Sequence, residues 1–226
     1  MNGSSLFDVA GPIMVGPSSS HTAGAVRIAN LCRMLAGSQV VSVQFTLFNS
    51  FAHTYYGHGT DKGLLAGIMG FSVDDNAVRD AFEIAEQRKL CYQFVTSTRA
   101  NNYPPNTVVI DLVLENQHTV TVTGHSTGGG RVYLSSFNGR AVNLKGEQPT
   151  LLLYYKDQPG MIALVTHILA HQNVNIAGLL CYRNQRGKDA HMTITMDMLP
   201  SSKAINAIST IDHIFNVYCI DQLPVI

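Results

Sequence analysis

One stretch decides the fold of the C-terminal half, Thr150-Leu-Leu-Leu-Tyr-Tyr-Lys-Asp-Gln-Pro-Gly-Met-Ile162. It begins with an apolar run of strand length, turns at Pro159-Gly160 and enters an apolar run with helical spacing. The pattern that follows predicts a helix, two strands, a helix and a strand, over residues 161–171, 175–184, 190–197, 201–209 and 214–220. With the first strand over residues 150–156, the order is β-α-β-β-α-β, which predicts a ferredoxin-like sandwich.

Upstream of this unit, the apolar periodicity lapses over residues 143–149, where Gly, Pro and charged residues cluster. We therefore place a domain boundary at residue 148, giving domains 1–148 and 149–226. Patterns in the first domain predict a strand over 40–48, helices over 60–69 and 77–88, and a hairpin of strands 107–115 and 118–124. The expected fold class is α+β, with a mixed α/β domain followed by the ferredoxin-like one.

Composition limits the classes of partner. The 226 residues are 46% hydrophobic, which is enough to bury a core, and fifteen Lys and Arg balance fifteen Asp and Glu. No basic patch favours nucleic acid. Apolar runs are far shorter than the roughly 20 residues of a spanning helix, and the N-terminal sequence lacks a secretion-signal pattern. We expect a cytoplasmic protein that binds neither nucleic acid nor membrane.

The cysteines show no metal-binding pattern. Cys32, Cys91, Cys181 and Cys219 are scattered, with no C-x-x-C pair and no His at ligand spacing. No zinc or iron–sulfur site is expected in this chain. Each cysteine is predicted to be a buried small hydrophobe or a free thiol.

A polar cluster, Gly16-Pro-Ser-Ser-Ser-His-Thr-Ala-Gly24, lies where a turn passes into a helix-forming run over residues 25–35. The first N–H groups of a helix have no partner within it, and they carry the positive end of the helix dipole. Ser18, Ser19, Ser20, His21 and Thr22 are therefore candidates for binding a carboxylate or phosphate. The alternative is an ordinary helix capped by a serine or threonine.

Two further clusters carry histidine among small residues, Gly57-His-Gly-Thr-Asp-Lys62 and Gly124-His-Ser-Thr-Gly-Gly-Gly-Arg131. Glycine on both sides of His58 leaves the imidazole accessible, and Thr60 or Asp61 can cap the next helix or orient that ring. Consecutive glycines can present backbone N–H groups to an anion. The alternative for each cluster is a surface loop.

Together with Phe7-Asp8, Ser50 and Thr54, these clusters closely resemble the β chain of iron–sulfur-dependent L-serine dehydratases, also called L-serine ammonia-lyases. The resemblance implies an allosteric-substrate-binding-like fold for residues 1–148. It implies β-elimination of water from L-serine to give aminoacrylate, which hydrolyses to pyruvate and ammonia. It also implies a 4Fe-4S cluster whose cysteine ligands belong to a partner α chain, with an open iron as Lewis acid.

The resemblance assigns roles residue by residue. His58 is the candidate general base, with His21 as the alternative base or an orienting donor. The implied substrate-binding residues are Ser18, Ser19, Ser20, His21, Thr22, Ser50, Thr60, Asp61, His125, Ser126, Gly128 and Gly129. The chain departs from the family pattern at Asn49, where glycine is expected, at Tyr55-Tyr56, which replaces a Gly-Lys-like pair, and at Thr127, where isoleucine is usual. These departures leave the choice between serine and threonine open.

Residues 149–226 resemble an ACT domain, through the element order and an Asp157-x-Pro-Gly-x-Ile turn followed by Asn175-Ile176. ACT domains commonly pair edge to edge and bind amino acids at the interface. The resemblance implies homodimer contacts and a regulatory ligand site formed by Asp157, Gly160, Met161 and Asn175. Whether the domain binds serine or only dimerises is left open.

Two other functions compete with the lyase. A non-catalytic, amino-acid-binding regulatory subunit would bind a carboxylate without chemistry. A hydrolase using Ser20 with His21 is disfavoured, because neighbouring helix residues do not face each other. His167 and His171 have metal-compatible spacing, but we expect them on a solvated or interface face of the ACT domain.

Overall fold

The computed structural model describes residues 13–97, 102–183 and 185–224. The Phe7-Asp8 motif lies outside these ranges. The chain forms two compact units, one made of the described residues up to Lys145 with Leu223 and Pro224, the other of Gly146–Gln222. Leu223 and Pro224 therefore belong to the first unit, whereas the sequence had led us to expect them in the second domain, 149–226. They are held there because Leu223 is buried and the Pro224 carbonyl accepts a hydrogen bond from Arg27 Nη1 at 2.7 Å.

The first unit is a six-stranded sheet with helices against one face. A single π-helical turn, Ser19–Ala23, runs directly into helix α1. The helices are α1 (Gly24–Ala36), α2 (Ser50–Thr54), α3 (Thr60–Ile68) and α4 (Ala81–Gln87), and the strands are β1 (Val40–Asn49), β2 (Cys91–Thr96), β3 (Asn106–Leu114), β4 (Thr119–Gly128), β5 (Arg131–Phe137) and β6 (Arg140–Leu144). The strand order is β2-β1-β3-β4-β5-β6, with β1 and β2 parallel and the other neighbours antiparallel.

Small residues let the elements around α1 come close together. A Cβ on Gly63 of α3 would lie 2.7 Å from the Thr22 carbonyl oxygen, and one on Gly67 would lie 2.7 Å from Ala29 Cβ. On the other side of α1, Gly124 of β4 packs under Ile28. Real Cβ atoms do not approach so closely, so glycine is required at these contacts. The close packing brings the start of α3 against the start of α1.

The strand over 40–48, the helix over 60–69 and the hairpin over 107–124 are confirmed with small shifts at their ends. The prediction of one helix over 77–88 was wrong in its extent, because the helix covers only Ala81–Gln87. Asp75 caps a short 3-10 turn, Asn76–Val78, and Asp80 leaves helical geometry at φ −103° and ψ 17° before α4 begins. Strands β2, β5 and β6 and the short α2 were not predicted.

The second unit has the expected ferredoxin-like order. Its elements are β7 (Thr150–Lys156), α5 (Met161–His171), β8 (Ile176–Arg183), β9 (Asp189–Met196), α6 (Ser202–Ser209) and β10 (Ile214–Ile220). The antiparallel sheet has the order β10-β7-β9-β8. Alternate residues of β7 and β9, such as Leu151, Leu153 and Ile194, pack against α5 and α6 in one buried cluster. In neither unit does a described helix have the length and apolar character needed to cross a membrane.

Candidate active site

The first polar cluster forms a tight turn at the start of the helix that leads into α1. We call residues 18–22 the serine turn. Ser18 is extended, at φ −146° and ψ 124°, and its Oγ accepts a hydrogen bond from the His21 backbone N–H at 3.2 Å. The Thr22 N–H reaches the Ser18 carbonyl at 2.8 Å. Ser18 is thus an N-cap, and the three serines are half-buried at a helix N-terminus, as the sequence predicted.

His21 lies at the centre of this site. Its side chain is buried, with Nδ1 at 3.0 Å from Ser20 Oγ and 3.3 Å from Ser18 Oγ. The expectation that Ser20 and His21 do not face each other was therefore wrong, because the π-helical turn brings their side chains together. Its Nε2 lies 3.1 Å from Ser50 Oγ, at the start of α2. Burial and, secondarily, the neighbouring His58 lower the pKa of His21 below its usual value. The imidazole is therefore neutral at pH 7, with a hydroxyl at each ring nitrogen.

His58 comes to the same place from a distant part of the sequence. Its ring centroid lies 4.8 Å from that of His21, and its side chain is exposed. The Thr22 hydroxyl donates to the His58 carbonyl at 2.8 Å, which ties the loop to the serine turn. Gly59 has φ 66°, and a Cβ there would lie 3.2 Å from Thr22 Oγ1. The loop around His58 therefore lies directly on the serine turn, and the two sequence clusters form one site.

Thr60 and Asp61 begin α3 immediately after this loop. Both are buried, and Thr60 Oγ1 has no hydrogen-bond partner among the described residues. Asp61 Oδ1 accepts from the Lys62 N–H at 2.7 Å, and burial raises the pKa of Asp61. Of the two roles that the sequence allowed for this pair, capping of α3 is not observed, because the N-cap is Gly59 and no side chain of the described residues makes a capping hydrogen bond there.

The third cluster is split between the two faces of the sheet. Ser126 lies under α1, where a Cβ on Gly24 would be 2.7 Å from Ser126 Cβ. Its Oγ is buried without a hydrogen-bond partner in the described chain. Because successive residues of a strand point to opposite faces, His125 points away from α1. The structure therefore brings Ser126 to the start of α1 but does not bring His125 to the serine turn.

His125 is held in a network of its own. Its Nδ1 lies 2.7 Å from Thr107 Oγ1 and its Nε2 lies 2.6 Å from Ser135 Oγ, while its ring stacks on Tyr133 at 4.6 Å. The Thr107 hydroxyl donates to the Pro104 carbonyl at 2.7 Å, so His125 Nδ1–H donates to Thr107 and Nε2 accepts from Ser135. Burial lowers the pKa of His125 to about 4. His125 is therefore a neutral, fully bonded imidazole at pH 7.

The glycines after Ser126 turn β4 into β5. Gly128, Gly129 and Gly130 have φ of 98°, 60° and 75°, a left-handed run that favours glycine at each position. Gly128 pairs with Arg131 across the turn, where the register shifts by a bulge. These residues form the end of the hairpin that carries Ser126.

Two asparagines at the site were not singled out as functional by the sequence. Asn49, which ends β1, has φ 52° and ψ −125°, and its Nδ2 donates to the carbonyls of Tyr103 and Pro104. Its strand partner Asn106 has a buried Oδ1 without a hydrogen-bond partner in the described ranges. The sequence did contain a signal for the positive φ of residue 49. Asparagine stands there where the family pattern has glycine, and asparagine tolerates positive φ better than most residues.

In the second unit, Asp157 binds the β8–β9 connection and does not cap α5. Its Oδ2 accepts from the Gly187 N–H at 3.0 Å and pairs with Arg183 at 3.3 Å. The Gly187 hydrogen bond is the main cause that lowers the pKa of Asp157. Gly160, at φ 92°, is the N-cap of α5, and the next residue, Met161, is buried.

Asn175 lies just before β8 and donates to Asp197 Oδ2 at 2.7 Å. Of the four residues expected to bind a regulatory ligand, Asp157 and Asn175 are thus already engaged with other parts of the unit. On α5, the rings of His167 and His171 meet at 4.5 Å in a perpendicular arrangement, and both side chains are exposed.

The residues present do not fit an iron–sulfur cluster. All four cysteines are free thiols, on α1, β2, β8 and β10. Within the described ranges, no three His, Cys, Asp or Glu side chains come together as metal ligands. Burial raises the pKa of Cys32, so this thiol stays protonated in the core.

Comparison with known proteins places this chain in a family. The family described as "Serine dehydratase beta chain" matches residues 5–136. An L-serine dehydratase beta chain of Peptoniphilus asaccharolyticus is 42% identical over 193 residues, covering 85% of this chain and 87% of that one. The chain belongs to the serine dehydratase β-chain family. Its C-terminal part matches the AHAS small subunit-like ACT domain over residues 151–216, which confirms the expected domain.

Other family members support the same conclusion. A probable L-serine dehydratase beta chain of Bacillus subtilis is 34% identical and covers 94% of this chain and 96% of its own. An L-serine dehydratase of Helicobacter pylori is 33% identical over 54% of this chain but only 31% of its own length. The β-chain relatives thus match almost from end to end, whereas the Helicobacter protein contains the matched part within a longer chain. Their naming as β chains indicates an α partner.

Proposed function

We propose that this β chain contributes the serine turn and two histidines to an iron–sulfur-dependent L-serine ammonia-lyase, which eliminates water from L-serine to give aminoacrylate, whose hydrolysis yields pyruvate and ammonia. The observation that carries the proposal is the meeting of His21 and His58 at the serine turn, 4.8 Å apart. Family membership supports the substrate and the reaction. The geometry supports the division of roles among the residues.

The serine turn is the proposed site of the substrate carboxylate. Free N–H groups at a helix N-terminus, the positive end of the helix dipole and the hydroxyls of Ser18, Ser19 and Ser20 all favour a negative charge there. As the Cα proton leaves, charge builds up on the carboxylate. Donors already in place stabilise that charge without having to reorganise.

His58 is the proposed general base. Both ring nitrogens of His21 already face hydroxyls, whereas the ring of His58 is exposed next to the turn. An accessible imidazole can take the Cα proton of a serine whose carboxylate lies at the turn. A neutral His21 suits this role for His58, because two adjacent imidazoles disfavour charge on both.

The 4Fe-4S cluster is assigned in this proposal to a partner α chain. The four cysteines of this chain lie on separate elements, so they are not arranged as cluster ligands. The ACT unit is proposed to mediate homodimer contacts. Its residues Asp157 and Asn175 already have intramolecular partners, which supports a dimerisation role over a preformed ligand site.

The test is to co-express this chain with an α chain from the same genome, purify the pair without oxygen and measure pyruvate formed from L-serine. We expect pyruvate from the pair and none from either chain alone. His58→Ala should lower kcat by about 10²–10⁴-fold, because that is the usual contribution of a general base. The matched control is His53→Ala, an exposed histidine on α2, which should stay close to wild type.

A different result would change the assignment. If the intact pair binds serine but forms no pyruvate, the chain is a regulatory subunit that binds amino acids without chemistry. If His58→Ala keeps most of the activity while His21→Ala loses it, the base is His21.

A further inference from the structure

The backbone at Asn49 has a conformation that glycine normally supplies. Its φ of 52° and ψ of −125° lie in a region that residues with a Cβ rarely enter. Residues held in such regions persist only when the surrounding structure enforces them, and they cluster at functional sites. Asn49 is the last residue of β1, and Ser50 of the candidate site follows it directly.

Three consecutive carbonyls hold this conformation in place. Asn49 Nδ2 donates to the Tyr103 carbonyl at 2.7 Å and to the Pro104 carbonyl at 3.2 Å. The Ser50 backbone N–H donates to the Pro105 carbonyl at 2.8 Å. The side-chain amide of Asn49 thus donates to two carbonyls of this segment, and the backbone N–H of Ser50 donates to a third.

The turn determines where the Ser50 hydroxyl lies. Ser50 begins α2, and its Oγ lies 3.1 Å from His21 Nε2. The Thr54 hydroxyl donates to the Ser50 carbonyl at 2.8 Å, which ties Ser50 into α2. If residue 49 relaxed to an ordinary extended conformation, α2 would start in another direction and the Ser50 hydroxyl would move away from His21.

We propose that Asn49 is a positioning residue, whose side-chain amide holds the strained turn so that Ser50 fixes the orientation and protonated nitrogen of His21. Its effect on His21 is a property of this chain. Its effect on catalysis rests on the proposed function.

The first test follows His21 directly by ¹⁵N NMR of the side-chain imidazoles in the full-length chain, with the His21 signals assigned from His21→Ala. We expect Asn49→Ala to change the His21 tautomer signals in the same direction as Ser50→Ala. The double variant should add little beyond Ser50→Ala, because both changes act through one contact. Asn49→Gly should also change the signals, since it removes the amide while permitting the backbone conformation.

The matched control is Asn138→Ala. Asn138 lies in the β5–β6 turn of the same unit and also has a positive φ, 48°. Its Oδ1 accepts a hydrogen bond from the Thr121 N–H of β4. It should lower thermal stability without changing the His21 signals. This separates a positioning effect from general loss of stability.

The second test measures kinetics in the complex with the α chain. Asn49→Ala should lower kcat about tenfold, with Asn49→Gly less affected because glycine removes the strain. The proposal is overturned if His21 keeps wild-type signals in both Asn49 variants, or if Ser50→Ala leaves those signals unchanged. A wild-type pair that forms no pyruvate would refute the proposed function but would leave the NMR prediction standing.

Discussion

His21 and His125 are both buried imidazoles with a hydroxyl near each ring nitrogen, yet they occupy opposite kinds of environment. His21 lies at a helix N-terminus, with the exposed ring of His58 beside it. His125 lies on the other side of the sheet, stacked on Tyr133. Both occur in the sequence among glycines and hydroxyl residues. The comparison shows that access to a second, exposed imidazole distinguishes the candidate catalytic histidine from one that supports the sheet.

The largest expected effect is on stability at His125. Replacing it by alanine removes a stacked ring and leaves the Thr107 and Ser135 hydroxyls without their partner. We expect His125→Ala to lower the free energy of unfolding by about 3–4 kcal/mol, measured by urea denaturation. His58→Ala is the comparison variant and should change stability little, because His58 is exposed. Equal free energies of unfolding for the two variants would contradict the conclusion that His125 supports the sheet whereas His58 does not.

The next effect is the pH dependence of stability. The pKa of His125 is about 4 in the folded chain and about 6.5 when unfolded, so the unfolded state binds the proton more readily. The contribution of neutral His125 to the free energy of unfolding should therefore be fully present above pH 6.5. The free energy of unfolding should fall by up to about 3 kcal/mol as the pH drops to 4. Urea denaturation at several pH values checks this. In His125→Asn the free energy of unfolding should depend less on pH between 6.5 and 4. An unchanged pH dependence in this variant would show that groups other than His125 cause it.

The smallest effect sharpens the description of the serine turn. Ser20 is half-buried, with its Oγ 3.0 Å from His21 Nδ1. Removing one hydroxyl from a site that binds an anion costs about 1 kcal/mol, so Ser20→Ala should raise KM for L-serine about fivefold in the complex. Thr119→Ala, at an exposed position at the opposite end of β4 from Ser126, is the control and should leave KM within twofold. A Ser20 variant with unchanged KM would remove Ser20 from the proposed carboxylate site.

The sequence was most informative where a pattern is long and local. All six elements of the ACT unit were predicted from apolar runs of strand or helix length and the turn residues between them, although burial ranges from the almost fully buried β7 to the largely exposed β8. The serine turn at the start of a helix follows from the residues before α1. Strands β5 and β6 were not predicted, because the Asn138-Gly139 turn joins two short segments in which apolar and polar residues do not alternate regularly. The conformation of Asn49 escaped because its anchors lie more than fifty residues away.

By itself, the sequence determined the two-part α+β architecture, the placement of three serines and a histidine at a helix N-terminus, and the motifs of the serine dehydratase β-chain family. Only the tertiary structure decided which histidines meet. His21 and His58 come together because Gly63 and Gly67 let α3 pack closely on α1. His125 is excluded because strand alternation turns it to the face opposite Ser126. Strand alternation is itself local, but the face of the sheet on which α1 packs and the loops that meet at its start depend on contacts between distant segments.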